Sequence, residues 1–333
     1  MRILLDVMGG DLPPEELVKG GIAAGHLHQM DLTFVGDPAA ILPALSRRGE
    51  KDGGRFSILP ASDVVAMDDH PVVAVRSKRD SSLIKGLLAL RDRSGDAFVS
   101  PGNTGAVVVG SIFTLGRIRG IPRPGIAVSL PSVPGPESLL IDAGANADCT
   151  PPHLLGFARM GMTYAREMMG ITAPRVALLS NGEEKEKGNR LLHRTRDLLA
   201  AEPSFIGNVE GHVVLGKRPA DVVVCDGFVG NVFLKATEGG IGAVTGLLKE
   251  LASERLSARL GGLLLKSAFS RLRERLSYKR RGGAPLLGVD GVVVIAHGRS
   301  DAEAIGTAID AARRAVEARV NERLREGAAS DGS

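Results

Sequence analysis

Val99-Ser100-Pro101-Gly102-Asn103-Thr104-Gly105-Ala106 follows the short apolar run at 97–99 and precedes a helical pattern of small residues. This is a strand, a glycine-rich polar turn and a helix, in that order. Gly102 and Gly105 let the backbone curl and let a ligand come close. Ser100, Asn103 and Thr104 offer short polar side chains. A helix opening at Thr104 aims unpaired N–H groups and its positive dipole end at one point, which suits a compact anion such as phosphate. The same residues also fit a turn that only caps a helix, with Thr104 as N-cap.

Outward from this stretch the pattern recurs. Arg2 to Val7 reads as a strand buried on both faces by its continuous apolar run. Met8-Gly9-Gly10-Asp11 follows, then a helix to about His28 that opens with proline and acids. Strands are expected at 32–35, 56–59, 125–130, 138–141, 176–179, 221–225 and 291–296, with a short one at Val213-Val214. Helices are expected at 81–91, 152–169 and 301–325, with a helix-rich section over 232–278 and a loose tail at 326–333. Such alternation predicts an α/β fold of three layers, α/β/α, around a mostly parallel sheet. Residues 1–325 read as a single domain, with the Pro/Gly-rich 121–135 as a division into two lobes meeting at a cleft. Ligands gather outside the carboxyl ends of strands in such sheets. Polar turns fall after Val7, Val99, Ile141, Leu179, Cys225 and Ala296, which sets Asp6, Gly9, Gly10, Asp142, Asn146, Lys187 and Gly230 on the rim of a site.

The chain has 333 residues, 44% apolar and 24% charged, with a net charge of +4. It has no Trp and two cysteines, Cys149 and Cys225, so neither a disulfide framework nor a cysteine metal cluster is expected, and a reducing cytosol is. Asp6 breaks the first apolar run too early for a signal peptide, and no apolar segment reaches the ~20 residues that span a bilayer. After the first strand stands Gly9-Gly10-Asp11 rather than G-x-G-x-x-G. No phosphate loop ending in G-K-[ST], no G-x-S-x-G elbow and no H-E-x-x-H helix occurs. Cys149 and Cys225 read as small buried residues, which leaves covalent catalysis without a nucleophile.

Seven motifs together become specific. Leu5-Asp6-Val7-Met8-Gly9-Gly10-Asp11, Ser77-Lys78-Arg79-Asp80-Ser81-Ser82, the turn from Ser100 to Ala106, Asp142-Ala143-Gly144-Ala145-Asn146, Asn208-Val209-Glu210-Gly211, Cys225-Asp226-Gly227-Phe228-Val229-Gly230-Asn231 and Gly283-Ala284-Pro285-Leu286-Leu287-Gly288 occur in this order. The chain resembles the PlsX-type phosphate acyltransferases of bacterial phospholipid synthesis over nearly its whole length. The resemblance implies transfer of a long acyl group from acyl carrier protein to inorganic phosphate, giving acyl phosphate for a downstream glycerol-3-phosphate acyltransferase. It implies no cofactor and no metal. It also implies a homodimer and a fold similar to phosphotransacetylases and isocitrate/isopropylmalate dehydrogenases. Two departures stand out: Leu12 where the family has His, and Glu186 where a glycine is usual.

Phosphate is an anion near neutral pH and a competent nucleophile, so the work is positioning and charge stabilisation. Ser100, Asn103, Thr104 and the Gly105 backbone are expected to hold phosphate. Asp226, Gly230 and Asn231 would line the facing wall, with Asn231 donating to the thioester oxygen. His297 is placed either to protonate the departing thiolate or to make a turn-stabilising hydrogen bond. Arg76, Lys78 and Lys187 are the cations placed in polar turns. Acyl-CoA:phosphate transfer and a dinucleotide-dependent dehydrogenase of the same fold are the alternatives. From Lys249 to Arg281, ten Lys/Arg stand against three Glu, a local net of +7. Leucines at near-helical spacing run through it, so a protruding helical hairpin over 237–281 is expected. It suits a dimer or core helix pair with a solvated charged face, an acidic carrier protein or an anionic membrane surface, whereas the single tyrosine gives no aromatic signature for nucleic acid.

Overall fold

Ile3, Leu4 and Leu5 are wholly buried because β1 (Arg2–Asp6) runs through the middle of a layered molecule. Side chains alternate along a strand. Ile3 and Leu5 enter a core shared with Phe34 and Ile305, while Leu4 enters the opposite core with Leu87 and Phe98. Each such aliphatic burial contributes about 1.5–3 kcal/mol. The computed structural model describes residues 1–132, 135–217, 219–253 and 282–330.

After β1 the described elements are α1 (Pro14–Leu27), β2 (Asp31–Gly36), α2 (Pro38–Ser46), β3 (Phe56–Pro60), α3 (Pro71–Ser77), α4 (Ser82–Arg91), β4 (Ala97–Ser100) and α5 (Thr104–Thr114). There follow β5 (Gly125–Leu130), β6 (Ser138–Ile141), α6 (Pro151–Met169), β7 (Val176–Ser180), α7 (Arg190–Leu199), β8 (Phe205–Glu210), α8 (Gly211–Lys217) and β9 (Val222–Val224). The chain closes with α9 (Gly227–Ser253), β10 (Ala284–Leu287), β11 (Val292–Ile295), α10 (Ala302–Glu317) and α11 (Val320–Ser330). One sheet of 11 strands has the order β3-β2-β1-β4-β11-β10-β5-β6-β9-β7-β8. Helices cover both faces: α1 and α10 lie over one core of the first half, α4 and α5 over the other, and α6 covers the second half through Leu154 and Phe157.

The expected three-layer α/β architecture is therefore present, with one difference that matters for the site. β10 is antiparallel to both β11 and β5, and β5 is antiparallel to β6. The block β6-β9-β7-β8 thus runs opposite to β2-β1-β4-β11, so the polar turns do not share one straight edge. Stagger reconciles them. Ala284 pairs with Ile295 at the end of β11, Leu286 pairs with Ile126, and Ala127 pairs with Ile141 at the end of β6. The carboxyl ends of the two blocks so converge across the short strand β10.

Four local expectations fail for physical reasons. Val213 and Val214 lie in α8, not in a strand; the strand is β8, whose apolar pattern is interrupted by Gly207 and Asn208 at the sheet edge. β10 was not expected, being four residues long with Pro285, which has no N–H to donate. The closing helix breaks before Arg319, whose φ is +54°, into α10 and α11. Residues 326–330 are helical rather than loose, and the expected hairpin tip falls outside the described residues.

Gly86 fixes the distance between α4 and the sheet, because a Cβ there would run into the Phe98 ring. Gly86→Ala gains up to ~1 kcal/mol of helix propensity and loses ~1–3 kcal/mol to overpacking. A urea melt should therefore show net destabilisation, with an unchanged slope; a more stable variant would contradict the packing.

Candidate active site

Two buried carboxylates organise the strand ends. Asp6, 1% exposed, ends β1. Its Oδ1 accepts from the backbone N–H of Met8 and Gly9 at 3.0 and 3.1 Å, and its Oδ2 accepts from Ser100 Oγ at 2.8 Å. Ser100 Oγ in turn accepts from Gly102 N at 3.1 Å. Gly10 packs against Pro101, and Asp11 N donates to Gly298 O at 2.7 Å. The turns after β1, β4 and β11 are thereby knitted into one layer.

Asp142, wholly buried, does the same for the second half. Its Oδ1 accepts from the N–H groups of Ile126, Gly144 and Ala145 at 2.9–3.1 Å. Its Oδ2 accepts from Asn146 N and Nδ2 at 2.8 and 2.9 Å. Burial pushes this carboxyl above the ordinary carboxylate range against the pull of these donors. Gly227 N donates to Asn146 O at 2.7 Å, and a Cβ at Gly230 would collide with the Asp142 carbonyl. The first turn of α9 can seat on the Asp142 turn only with glycine at that position. That seating puts Asn231 directly over Gly144.

Between the two halves lies a cavity of about 180 Å³. Thr104, Asn231, His297 and Ser300 supply its polar lining. Ile126, Val128, Leu234, Ala284, Ile295 and Ala304 supply an apolar wall. Thr104 opens α5, so the unpaired N–H groups of that helix's first turn face this end. His297 Nδ1 accepts from Arg299 N at 3.1 Å, which places the proton of a neutral ring on Nε2.

Of the residues expected at the site, Thr104, Asn231 and His297 meet in the cavity, with Gly105 behind Thr104 against Pro71. Ser100 does not; its hydroxyl is buried beneath the turn and committed to Asp6 and Gly102. Asn103 does not either. It, rather than Thr104, is the N-cap of α5, accepting from Ala106 N at 3.0 Å. Its Nδ2 donates to the carbonyls of Ala66, Met67 and Asp69, tying down the loop before α3. Asp226 accepts from Val229 N at 2.9 Å, starting α9 from outside the cavity lining. Asp6, Gly9, Gly10, Asp142, Asn146 and Gly230 form the support below. Lys187 is exposed on the loop after β7, its stem against Gly182. Lys78 is held by Asp69 at 2.6 Å, which also pushes its ammonium above the ordinary lysine range, and Arg76 lies over the Phe113 ring at 5.7 Å.

Sequence reading missed Lys235 and Glu238, which line the cavity and pair at 2.9 Å. Their signal was helical spacing: 231, 234, 235 and 238 share one face of α9. Among the described residues no group of three His, Cys, Asp or Glu is placed to hold a metal ion.

Burial, reinforced by the negative charges of Asp142 and Asp226, pushes the Cys149 thiol up to about 12, and burial pushes Cys225 well above its ordinary value. Burial thus disfavours the thiolate form of both cysteines. Iodoacetamide at mildly alkaline pH should therefore leave the native mass unchanged and add to both thiols in urea; rapid native alkylation of Cys149 would restore it as a nucleophile.

Residues 1–323 match the family described as fatty acid synthesis protein. A phosphate acyltransferase from Pelotomaculum thermopropionicum is 46% identical over 326 residues, covering 98% of this chain and 94% of that protein. A phosphotransacetylase from Streptococcus pyogenes superposes with a TM-score of 0.63 at 16% identity, over 96% of this chain and 94% of that one. A branched-chain phosphotransacylase from Enterococcus faecalis gives 0.56 at 16% identity, over 95% and 99%. At such identities the two structures establish the fold. The sequence match goes further, and the chain belongs to this fatty acid synthesis protein family, that of the PlsX-type phosphate acyltransferases.

Proposed function

We propose that this protein is a phosphate acyltransferase that moves a fatty acyl group from an acyl carrier protein thioester to inorganic phosphate, giving acyl phosphate for phospholipid synthesis. The observation that carries this reading is the cavity in which a helix N-terminus, a carboxamide and an imidazole meet an apolar wall, in a chain 46% identical to a phosphate acyltransferase.

Phosphate sits on Thr104 and the first-turn N–H groups of α5, including that of Gly105. One of its oxygens attacks the thioester carbonyl carbon. The carbonyl π pair moves to oxygen, where the Asn231 amide donates to the developing oxyanion. Collapse of the intermediate breaks the C–S bond; the departing thiolate accepts a hydrogen bond from His297 Nε2–H and takes up the proton that the attacking hydrogen phosphate carried. A thiol of pKa ~8.5 is an adequate leaving group, so no enzyme-bound acyl intermediate is needed. Lys187, with no ion-pair partner among the described residues, draws anions to the rim. Ser100, Asn103, Asp6 and Asp142 hold the frame.

Val244, Leu247 and Leu251 are about half exposed on the face of α9 opposite the cavity, and we assign this face to a homodimer contact. The basic segment at 249–281, largely outside the described residues, is assigned to an anionic membrane surface where a downstream glycerol-3-phosphate acyltransferase would take up the product. No described helix is long and apolar enough to cross a membrane.

Asn231→Ala should lower phosphate-dependent release of carrier thiol by ~10²–10³ with an unchanged melting temperature, and Thr104→Val should raise the KM for phosphate. Near-normal rates in both would remove the assignment. Leu247→Glu should halve the mass seen in sedimentation; an unchanged mass would place the dimer contact elsewhere.

A further inference from the structure

We infer that the apolar wall of the cavity receives the first carbons of the acyl chain, about six of them, and that Val128 and Ala284 contact that segment. The inference rests on the acyltransferase reading and names the substrate part that this site holds.

Three observations support it. The wall is built from Ile126, Val128, Leu234, Ala284, Ile295 and Ala304, and it adjoins Thr104, Asn231 and His297. A carbonyl carbon placed between those polar groups therefore has its chain against hydrocarbon. A nucleotide or sugar there would lose hydrogen bonds to water and find few in return. Two other grooves among the described residues are different in kind. One carries Arg159, Arg166 and Glu202, and the other Arg117, Arg119, Asp290 and Arg325. Neither includes any of the residues that end the strands at the site.

Size fixes the number. An apolar cavity of about 150 Å³ takes up a six-carbon ring, so one of about 180 Å³ has room for a chain segment of about six carbons. Longer chains leave through the mouth, past the Lys235–Glu238 pair. Val128 is on β5 and Ala284 on β10, so added bulk at either enters the cavity from the sheet without removing a core side chain.

Alkylphosphonates test this without turnover, since each joins an anionic head to a chain of chosen length. By isothermal titration, hexylphosphonate should bind wild-type protein at least ~20-fold more tightly than methylphosphonate, at a gain of up to ~4-fold per methylene. Decylphosphonate should add little more. Val128→Phe should erase the hexyl advantage and keep methylphosphonate binding; Ala284→Leu is the second variant if the first melts early. In thiol-release assays the same variants should depress hexanoyl and longer thioesters at least ~10-fold more than acetyl thioester. Equal binding of methyl- and hexylphosphonate, or a variant that weakens both equally, overturns the inference. Absence of thiol release from any thioester, with the hexyl advantage intact, would sink the acyltransferase reading and leave the chain site standing.

Discussion

Five hydrogen bonds converge on the buried carboxylate of Asp142, and the second half of the site hangs from them. One ties it to β5 through Ile126 N, and four shape the turn from Gly144 to Asn146. The backbone of that turn then receives α9, by way of Gly227 and Gly230. Asn231 is therefore placed by a chain of contacts that begins at an acid with no exposure to solvent. Asp6 is its counterpart in the first half, bound to Met8, Gly9 and Ser100. Removing either acid would leave buried N–H or O–H groups unpaired, at about 1–3 kcal/mol each. The cost would appear as a displaced turn before it appeared as unfolding.

This division between frame and contact explains what could be read in the residues alone. β1, the glycine turn after β4 and the polar ends of β6, β9 and β11 were legible, because apolar runs ending in Asp, Gly and Asn have few other uses. The roles within those turns were not. Ser100 and Asn103 carry donors suited to an anion, but the turn's own backbone takes them first. Residue type gives hydrogen-bonding capacity and not its direction. The reversal of the sheet was equally hidden, since it depends on a four-residue strand containing Pro285. Lys235 lies outside every polar turn and reaches the cavity from a helix face, where only its spacing from Asn231 and Glu238 marks it.

The chemistry left to the site is correspondingly spare. Burial disfavours the thiolate of both cysteines. The cation of Lys78 is spent on Asp69, and Lys235 faces Glu238. What remains at the polar end is a helix N-terminus, a carboxamide and an imidazole whose Nδ1 is anchored by Arg299 N. These stabilise charge without forming a bond to carbon, which matches a reaction whose nucleophile arrives already anionic.

α9 joins this site to the rest of the protein's surface. At about 100° per residue, the face bearing Asn231, Leu234, Lys235 and Glu238 points into the cavity, and Val244, Leu247 and Leu251 point the opposite way. A helix apolar on both sides is stable only when both are covered. Its inner side lines the cavity, with β5 and β10 across from it. Its outer side is about half exposed among the described residues, and the proposed dimer contact there would stiffen the helix that carries Asn231. Site geometry and association would then be linked through one rigid element, with the Asp142 turn as its fixed end.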